Sequence, residues 1–81
     1  MRYTMSEAKR DFSMGYLGHW EIQRAVLETG WRVLLGEGRR SDRSTAYPLV
    51  DARSKEPRLF KTLDAAVSAI EEIGFEVNIL A

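Results

Sequence analysis

The fold of this chain depends on one segment, which reads His19-Trp20-Glu21-Ile22-Gln23-Arg24-Ala25-Val26-Leu27-Glu28-Thr29. As a strand, this segment places Trp20, Ile22 and Val26 on one face, because side chains alternate along a strand. A four-residue loop would then pair Val26 with Trp31. The same register pairs Ile22 with Leu35 and gathers the large residues of both strands on one side of a hairpin. The strand is the interpretation we prefer.

The same segment also suits a helix, because most of its residues are good helix formers and Gly30 would end the helix. An internal similarity favours this alternative. Residues 25–33 align with residues 69–77, and both stretches continue from glycine to an aromatic residue, a charged residue and valine. Both interpretations are open on the sequence alone.

Further strands are predicted after Gly30. Apolar residues alternate over 31–36, which is the period of a half-buried strand. Another strand is expected near 46–53, where Pro48 restricts the segment to a sheet edge or interrupts its hydrogen bonds. Residues 37–45 between them are all polar or glycine, which predicts a surface loop.

Residues 63–73 predict an amphipathic helix, because apolar side chains recur there at a spacing of three to four. Thr62 suits the N-cap and Gly74 suits the end of the helix. The period then changes to two, which predicts a last strand over 75–80. The expected fold is therefore α+β, with the helix packed on one face of a small antiparallel sheet of about four strands, near 19–26, 31–36, 46–53 and 75–80.

The N-terminal part offers little apolar surface for burial. Residues 1–18 are expected to form either a short helix, with Ser6 as a cap, or a flexible segment. A single α+β domain is predicted over 19–81. The charges near Met1 are unlike those of a signal peptide, so we expect this segment to belong to the mature chain.

The composition limits the functions that need to be considered. The chain has 81 residues, 12 basic and 12 acidic side chains and no cysteine. Without cysteine there are no disulfides, thiolate metal sites or cysteine nucleophiles, and the chain suits a reducing cytoplasm. No stretch approaches the roughly 20 apolar residues of a membrane span. We expect a cytoplasmic protein that does not enter a membrane.

Residues for catalysis or metal binding are scarce. His19 is the only histidine, so a histidine cluster for a metal is excluded and no motif supplies a partner for acid–base catalysis. Glu71 and Glu72 are adjacent on the predicted helix and point about 100° apart, so they cannot converge on one bond. We predict no catalytic residue, no metal and no cofactor, and therefore a protein that is not an enzyme.

The neutral total charge hides a segregation along the chain. Residues 39–61 carry seven basic and three acidic side chains, a net charge of +4, whereas residues 62–81 carry four acidic side chains and no basic one. A cationic surface attracts an anionic partner if the carboxylates of the last segment do not cover it.

One stretch of this basic segment reads Arg53-Ser54-Lys55-Glu56-Pro57-Arg58-Leu59-Phe60-Lys61-Thr62-Leu63-Asp64-Ala65-Ala66. A basic strand, Phe-Lys-Thr and a helix that opens with two alanines resemble the end of the arm-binding domains of phage-type tyrosine recombinases. The ending is also similar to that of small plasmid and bacterial mobile-element proteins. Over residues 19–73, the resemblance to the arm-binding domains implies a three-stranded sheet plus a helix, with the sheet in a DNA groove and Arg53, Arg58 and Lys61 on the DNA backbone.

The expected function is a non-catalytic binding module with nucleic acid as its partner. Six basic residues are the candidate contacts: Arg39, Arg40, Arg43, Arg53, Arg58 and Lys61. The alternative is a protein–protein interaction or self-association module that forms a homodimer, which the oppositely charged segments and an edge strand favour. Three tyrosines are candidates for a partner surface, namely Tyr3, Tyr16 and Tyr47.

Overall fold

The computed structural model describes residues 2–25, 29–37 and 46–77. Its elements are helix α1 (Met5–Ser13), strands β1 (Leu17–Arg24), β2 (Trp31–Glu37) and β3 (Tyr47–Pro48), and helix α2 (Leu63–Ile73). The strands form an antiparallel sheet in the order β1-β2-β3. The helices contact each other and the sheet, α1 at β1 and α2 at β2. The fold is therefore α+β, with a small antiparallel sheet of three strands rather than about four.

β1 settles the choice between strand and helix, because Leu17–Arg24 is extended and paired with β2. The observed pairs are Trp20 with Leu35, Ile22 with Val33 and Arg24 with Trp31. The predicted register is wrong by two residues, since Ile22 was expected opposite Leu35. A shift of two is one full strand period, so the large side chains still lie on one face.

β3 is much shorter than the strand predicted over 46–53. Isolated bridges continue the pairing at Leu49 and Val50, and the chain then turns at Asp51. The carboxylate of Asp51 accepts hydrogen bonds from the backbone N–H groups of Arg53 (2.9 Å) and Ser54 (3.1 Å). Local bonds of this kind replace the hydrogen bonds of a strand and favour a turn.

The chain returns to the sheet at Phe60. Its backbone exchanges two hydrogen bonds with Trp31, of 2.8 Å and 2.9 Å. Because β1 pairs along one edge of β2, Phe60 and β3 both pair along the opposite edge of β2. Residues 49–58, which connect β3 to the segment of Phe60, form a hairpin closed by the bridge of Val50 with Pro57.

The N-terminal segment contains the short helix that was one of the two expectations. Its cap is Thr4 rather than Ser6: the Thr4 hydroxyl accepts from the Glu7 N–H (3.3 Å), and the Glu7 carboxylate accepts from the Thr4 N–H (2.9 Å). Tyr3 pairs in parallel with Leu49 and is only 5% exposed. The expectation that Tyr3 lines a partner surface is therefore wrong, because its ring fills the core.

The core lies between the two helices and the sheet. Its largest fully buried side chains are Leu35, Leu49, Ile70 and Val33. α2 has the predicted bounds, and the hydroxyl of Thr62 accepts from the Ala65 N–H (3.1 Å). The small side chains of Ala8 and Ala66, one on each helix, are also fully buried in this core.

The strand predicted over 75–80 is not found over 75–77, and 78–80 lie outside the described residues. Phe75 contributes to the fold through its side chain instead. Its ring meets the ring of Phe12 edge-on, with 4.6 Å between centroids. Burial of apolar side chains explains the period-two pattern here without strand pairing.

The capping box of α1 predicts a pH dependence. Hydrogen bonds from the backbone and side chain of Thr4 lower the pKa of Glu7 below its usual 4.5. A lowered pKa adds stability above the unfolded-state value, and this stability is lost as the pH falls through the folded-state value. Because solvent screens this exposed carboxylate, we expect Glu7→Gln to cost only about 0.3–0.5 kcal/mol at pH 7 and much less at pH 3, measured by urea unfolding. An equal cost at both pH values would contradict this role.

Candidate nucleic-acid interface

The six predicted contact residues fall into two groups. Arg39, Arg40 and Arg43 lie outside the described residues. Arg53 and Lys61 are exposed, and Arg58 is half-buried. The structure therefore places three of the candidates on one continuous stretch, from the tip of the hairpin 49–58 to the start of α2.

The hairpin 49–58 is held by its backbone and by Asp51. The Asp51 N–H donates to the Glu56 carbonyl (2.9 Å), and the Arg58 N–H donates to the Leu49 carbonyl (3.0 Å). The pKa of Asp51 is lowered by the backbone N–H groups of Ser54 and Arg53, and further by the charges of Arg58 and Arg53. Both arginines are therefore near the same carboxylate, which partly compensates their charge.

Two arginines of the structure lie over aromatic rings at one end of the sheet. The guanidinium carbon of Arg58 is 4.9 Å from the centroid of the Phe60 ring, and that of Arg24 is 5.4 Å from the Trp31 ring. Strand pairing brings these two contacts together, because Arg24 is opposite Trp31 and Trp31 is opposite Phe60. We call Arg24, Trp31, Phe60 and Arg58 the cation–aromatic row.

The row is anchored in the core at Phe60 and is exposed at its Arg24 end. Phe60 is only 8% exposed, Trp31 is half-buried, and Arg24 is exposed. An aromatic ring attracts a cation placed over its face. The two rings therefore hold both guanidinium groups near fixed positions, which reduces the conformational entropy that they lose on binding a ligand.

Sequence reasoning did not find Arg24 and Trp31 as site residues. The predicted register paired Trp31 with Val26, so it did not place Arg24 beside Trp31 and the basic segment. A hairpin with residues 25–30 between its paired positions would have placed Arg24 beside Trp31. The paired positions have residues 25–30 between them, whereas the prediction had only residues 27–30 there. This longer spacing is what would have revealed the contact.

The carboxylates of the last segment do not pair with these cations. No ion pair within 4.0 Å joins Arg53, Arg58 or Lys61 to an acidic side chain in the part of the chain that the structure describes, whereas Arg10 does pair with Asp11 on α1, at 3.1 Å. Three exposed acidic side chains lie on α2 and just after it, namely Glu71, Glu72 and Glu76.

An open cleft of about 420 Å³ adjoins the hairpin 49–58 on the side of the N-terminal segment. It is lined by Arg2, Pro48, Val50, Lys55, Glu56 and Pro57. A guanidinium N–H of Arg2 donates to the Lys55 carbonyl at 3.5 Å. Lys55 itself has a left-handed backbone, with φ 61°. The cleft adds two cations and one carboxylate to this side of the molecule.

Groups for other kinds of site are few within residues 2–25, 29–37 and 46–77. No cluster of three His, Asp or Glu side chains there could hold a metal ion. Neither helix is long and apolar enough to cross a membrane. His19 is half-buried, and its Nε2 has no hydrogen-bond partner in that part of the chain.

Comparison with known proteins leaves the site to be interpreted from its own chemistry. No protein-family model, curated protein or solved structure matches this chain.

Proposed function

We propose that the chain is a non-catalytic nucleic-acid-binding module. It contacts phosphates through a basic surface that consists of Arg24, Arg53, Arg58 and Lys61. The cation–aromatic row carries this proposal, because it holds two of these arginines near fixed positions close to exposed cations. Arg39, Arg40 and Arg43, which lie outside the described residues between β2 and β3, are further candidate contacts.

The chemistry of the basic surface suits phosphate oxygens. A guanidinium group offers a rigid fork of N–H donors that matches phosphate geometry. None of the described acidic side chains forms an ion pair with Arg53, Arg58 or Lys61. Asp51 compensates the charges of Arg53 and Arg58 only in part, so a net positive charge is available to an anionic partner. Neutral total charge is compatible with this function as long as the opposite charges lie on different surfaces.

Phosphate contacts make binding depend on salt. Each neutralised phosphate releases counterions, so the logarithm of affinity falls linearly with the logarithm of salt concentration. We expect mixed-sequence DNA to bind at about 50 mM salt and to dissociate as salt is raised. The double variant Arg53→Gln/Lys61→Gln should bind at least about 10-fold more weakly at low salt, with a slope smaller by about two. Gel-shift titrations measure both quantities.

A matched double variant provides the control. Lys9→Gln/Arg10→Gln also removes one lysine and one arginine, both exposed, but from α1. We expect it to retain wild-type affinity within about twofold. Undetectable binding of the wild-type chain at low salt, or an equal loss in both double variants, would refute the proposed function.

Self-association is the second candidate, and exposed apolar side chains favour it. Met14 and Tyr16 are 57% and 58% exposed at the turn before β1, and Leu59 and Leu63 are 39% and 42% exposed around the start of α2. Exposed apolar patches mark interaction surfaces in many proteins. A dimer mass by light scattering, together with no affinity for DNA, would support this function instead.

A further inference from the structure

We infer that the cation–aromatic row is a base-stacking platform for single-stranded nucleic acid. This inference rests on the proposed function and names the form of the partner. The observation behind it is the layered arrangement of Arg24 on Trp31 and of Arg58 on Phe60, joined by strand pairing.

Each layer places a guanidinium group over an aromatic ring that is partly or wholly buried. Arg24 is exposed, and the ring below it is half-buried. A guanidinium plane that rests on an aromatic ring can stack a nucleobase on its other face, while its N–H edge remains free to donate to phosphate. Trp31 belongs to β2 and Phe60 to the segment bridged to it, so the rings are neighbours, whereas Arg24 and Arg58 come from segments on either side of β2, roughly 10 Å apart at the usual strand spacing. Each layer can therefore receive a different base.

Stacking of this kind selects for single strands. In a duplex, the faces of the bases are covered by the neighbouring base pairs, and only their edges are accessible in the grooves. In a single strand the faces are available, and proteins bind them on aromatic rings and guanidinium planes beside a cationic path for the backbone. Arg53 and Lys61 are both exposed and lie within five residues of Arg58 along the chain, so they can supply charges for such a path.

The two tryptophans allow a direct test. Because the chain has only two, Trp20→Phe leaves Trp31 as the single indole fluorophore. We would titrate this variant at fixed low salt with single-stranded oligothymidylate and with a mixed-sequence duplex of equal length. The expected result is quenching of Trp31 emission by the single strand and roughly 10-fold tighter binding of the single strand than of the duplex.

A conservative substitution separates stacking from charge. Arg24→Lys, in the Trp20→Phe background, keeps the charge but removes the planar group. It should lose most of the preference for the single strand while keeping the duplex affinity and the salt slope. Arg10→Lys on α1 is the matched control and should change neither. Unaltered urea-unfolding midpoints would show that both variants are folded.

The outcomes distinguish this inference from the proposed function. Equal affinities for single strand and duplex, with unchanged Trp31 emission, would overturn the stacking platform and leave nucleic-acid binding intact. Retention of the full single-strand preference by Arg24→Lys would also overturn it. Failure of both nucleic acids to bind at low salt would refute the proposed function, and the platform with it.

Discussion

Truncation of Leu35 to alanine is expected to destabilise the protein by about 3–5 kcal/mol. Leu35 is fully buried in β2, where Trp20 of β1 and Tyr47 of β3 flank it as its strand partners. Removal of its side chain loses hydrophobic transfer energy and leaves a cavity that the three strands cannot close. A small domain has a total stability of only about 5–15 kcal/mol, so this loss is a large fraction of it.

Urea unfolding followed by far-UV circular dichroism measures this effect. Leu59→Ala is the matched control, because it makes the same chemical change at a side chain that is 39% exposed. Its cost should stay below about 1 kcal/mol. Similar costs for the two variants would contradict the described core.

Replacement of Gly30 by alanine is expected to cost about 3 kcal/mol, for two physical reasons. Gly30 has φ 140°, a conformation that residues with a Cβ atom rarely adopt. A Cβ atom there would also lie 2.9 Å from the Phe60 carbonyl oxygen. That oxygen accepts the hydrogen bond of the Trp31 N–H, so it cannot move away without loss of the bridge that joins β2 to Phe60.

Gly15→Ala separates strain from contact. Gly15 also has a positive φ, of 81°, but a Cβ atom there would meet nothing within 4 Å. We expect Gly15→Ala to cost only about 1–2 kcal/mol, from backbone strain alone. If chemical unfolding gives equal costs for both variants, the contact with Phe60 contributes nothing.

Gly30→Ala is expected to affect the candidate site as well as the stability of the fold. The bridge between Trp31 and Phe60 holds the two layers of the cation–aromatic row in register. A protein that remains folded after Gly30→Ala should therefore show a weakened preference for single strands, if the stacking platform is right.

Local patterns determined the elements whose signals lie within a few residues. The apolar spacing of α2, its cap Thr62 and its end at Gly74 are all contained in one short segment, and the helix has the predicted bounds. The extended conformation of 31–36 follows likewise from a period of two. The cap of α1 was within reach of the same reasoning, because Thr4 and Glu7 have the spacing of a capping box.

The candidate site was only partly accessible from sequence. The resemblance stated for residues 53–66 implied Arg53, Arg58 and Lys61, which lie in a segment with seven basic residues. It did not identify Arg24, which is separated from them along the chain and joins them only through β2. The apolar pattern of 75–77 was misleading, because burial against the helices produces the same period as a strand.

The sequence alone therefore determined the α+β class, α2, the strand 31–36 and the charge segregation, because each depends on neighbouring residues. Tertiary structure decided the register that sets Arg24 opposite Trp31, the return of Phe60 to the sheet and the burial of Tyr3. These features join distant parts of the chain. Their energies come from packing that no local spacing specifies, since several registers with the same alternation bury equivalent faces.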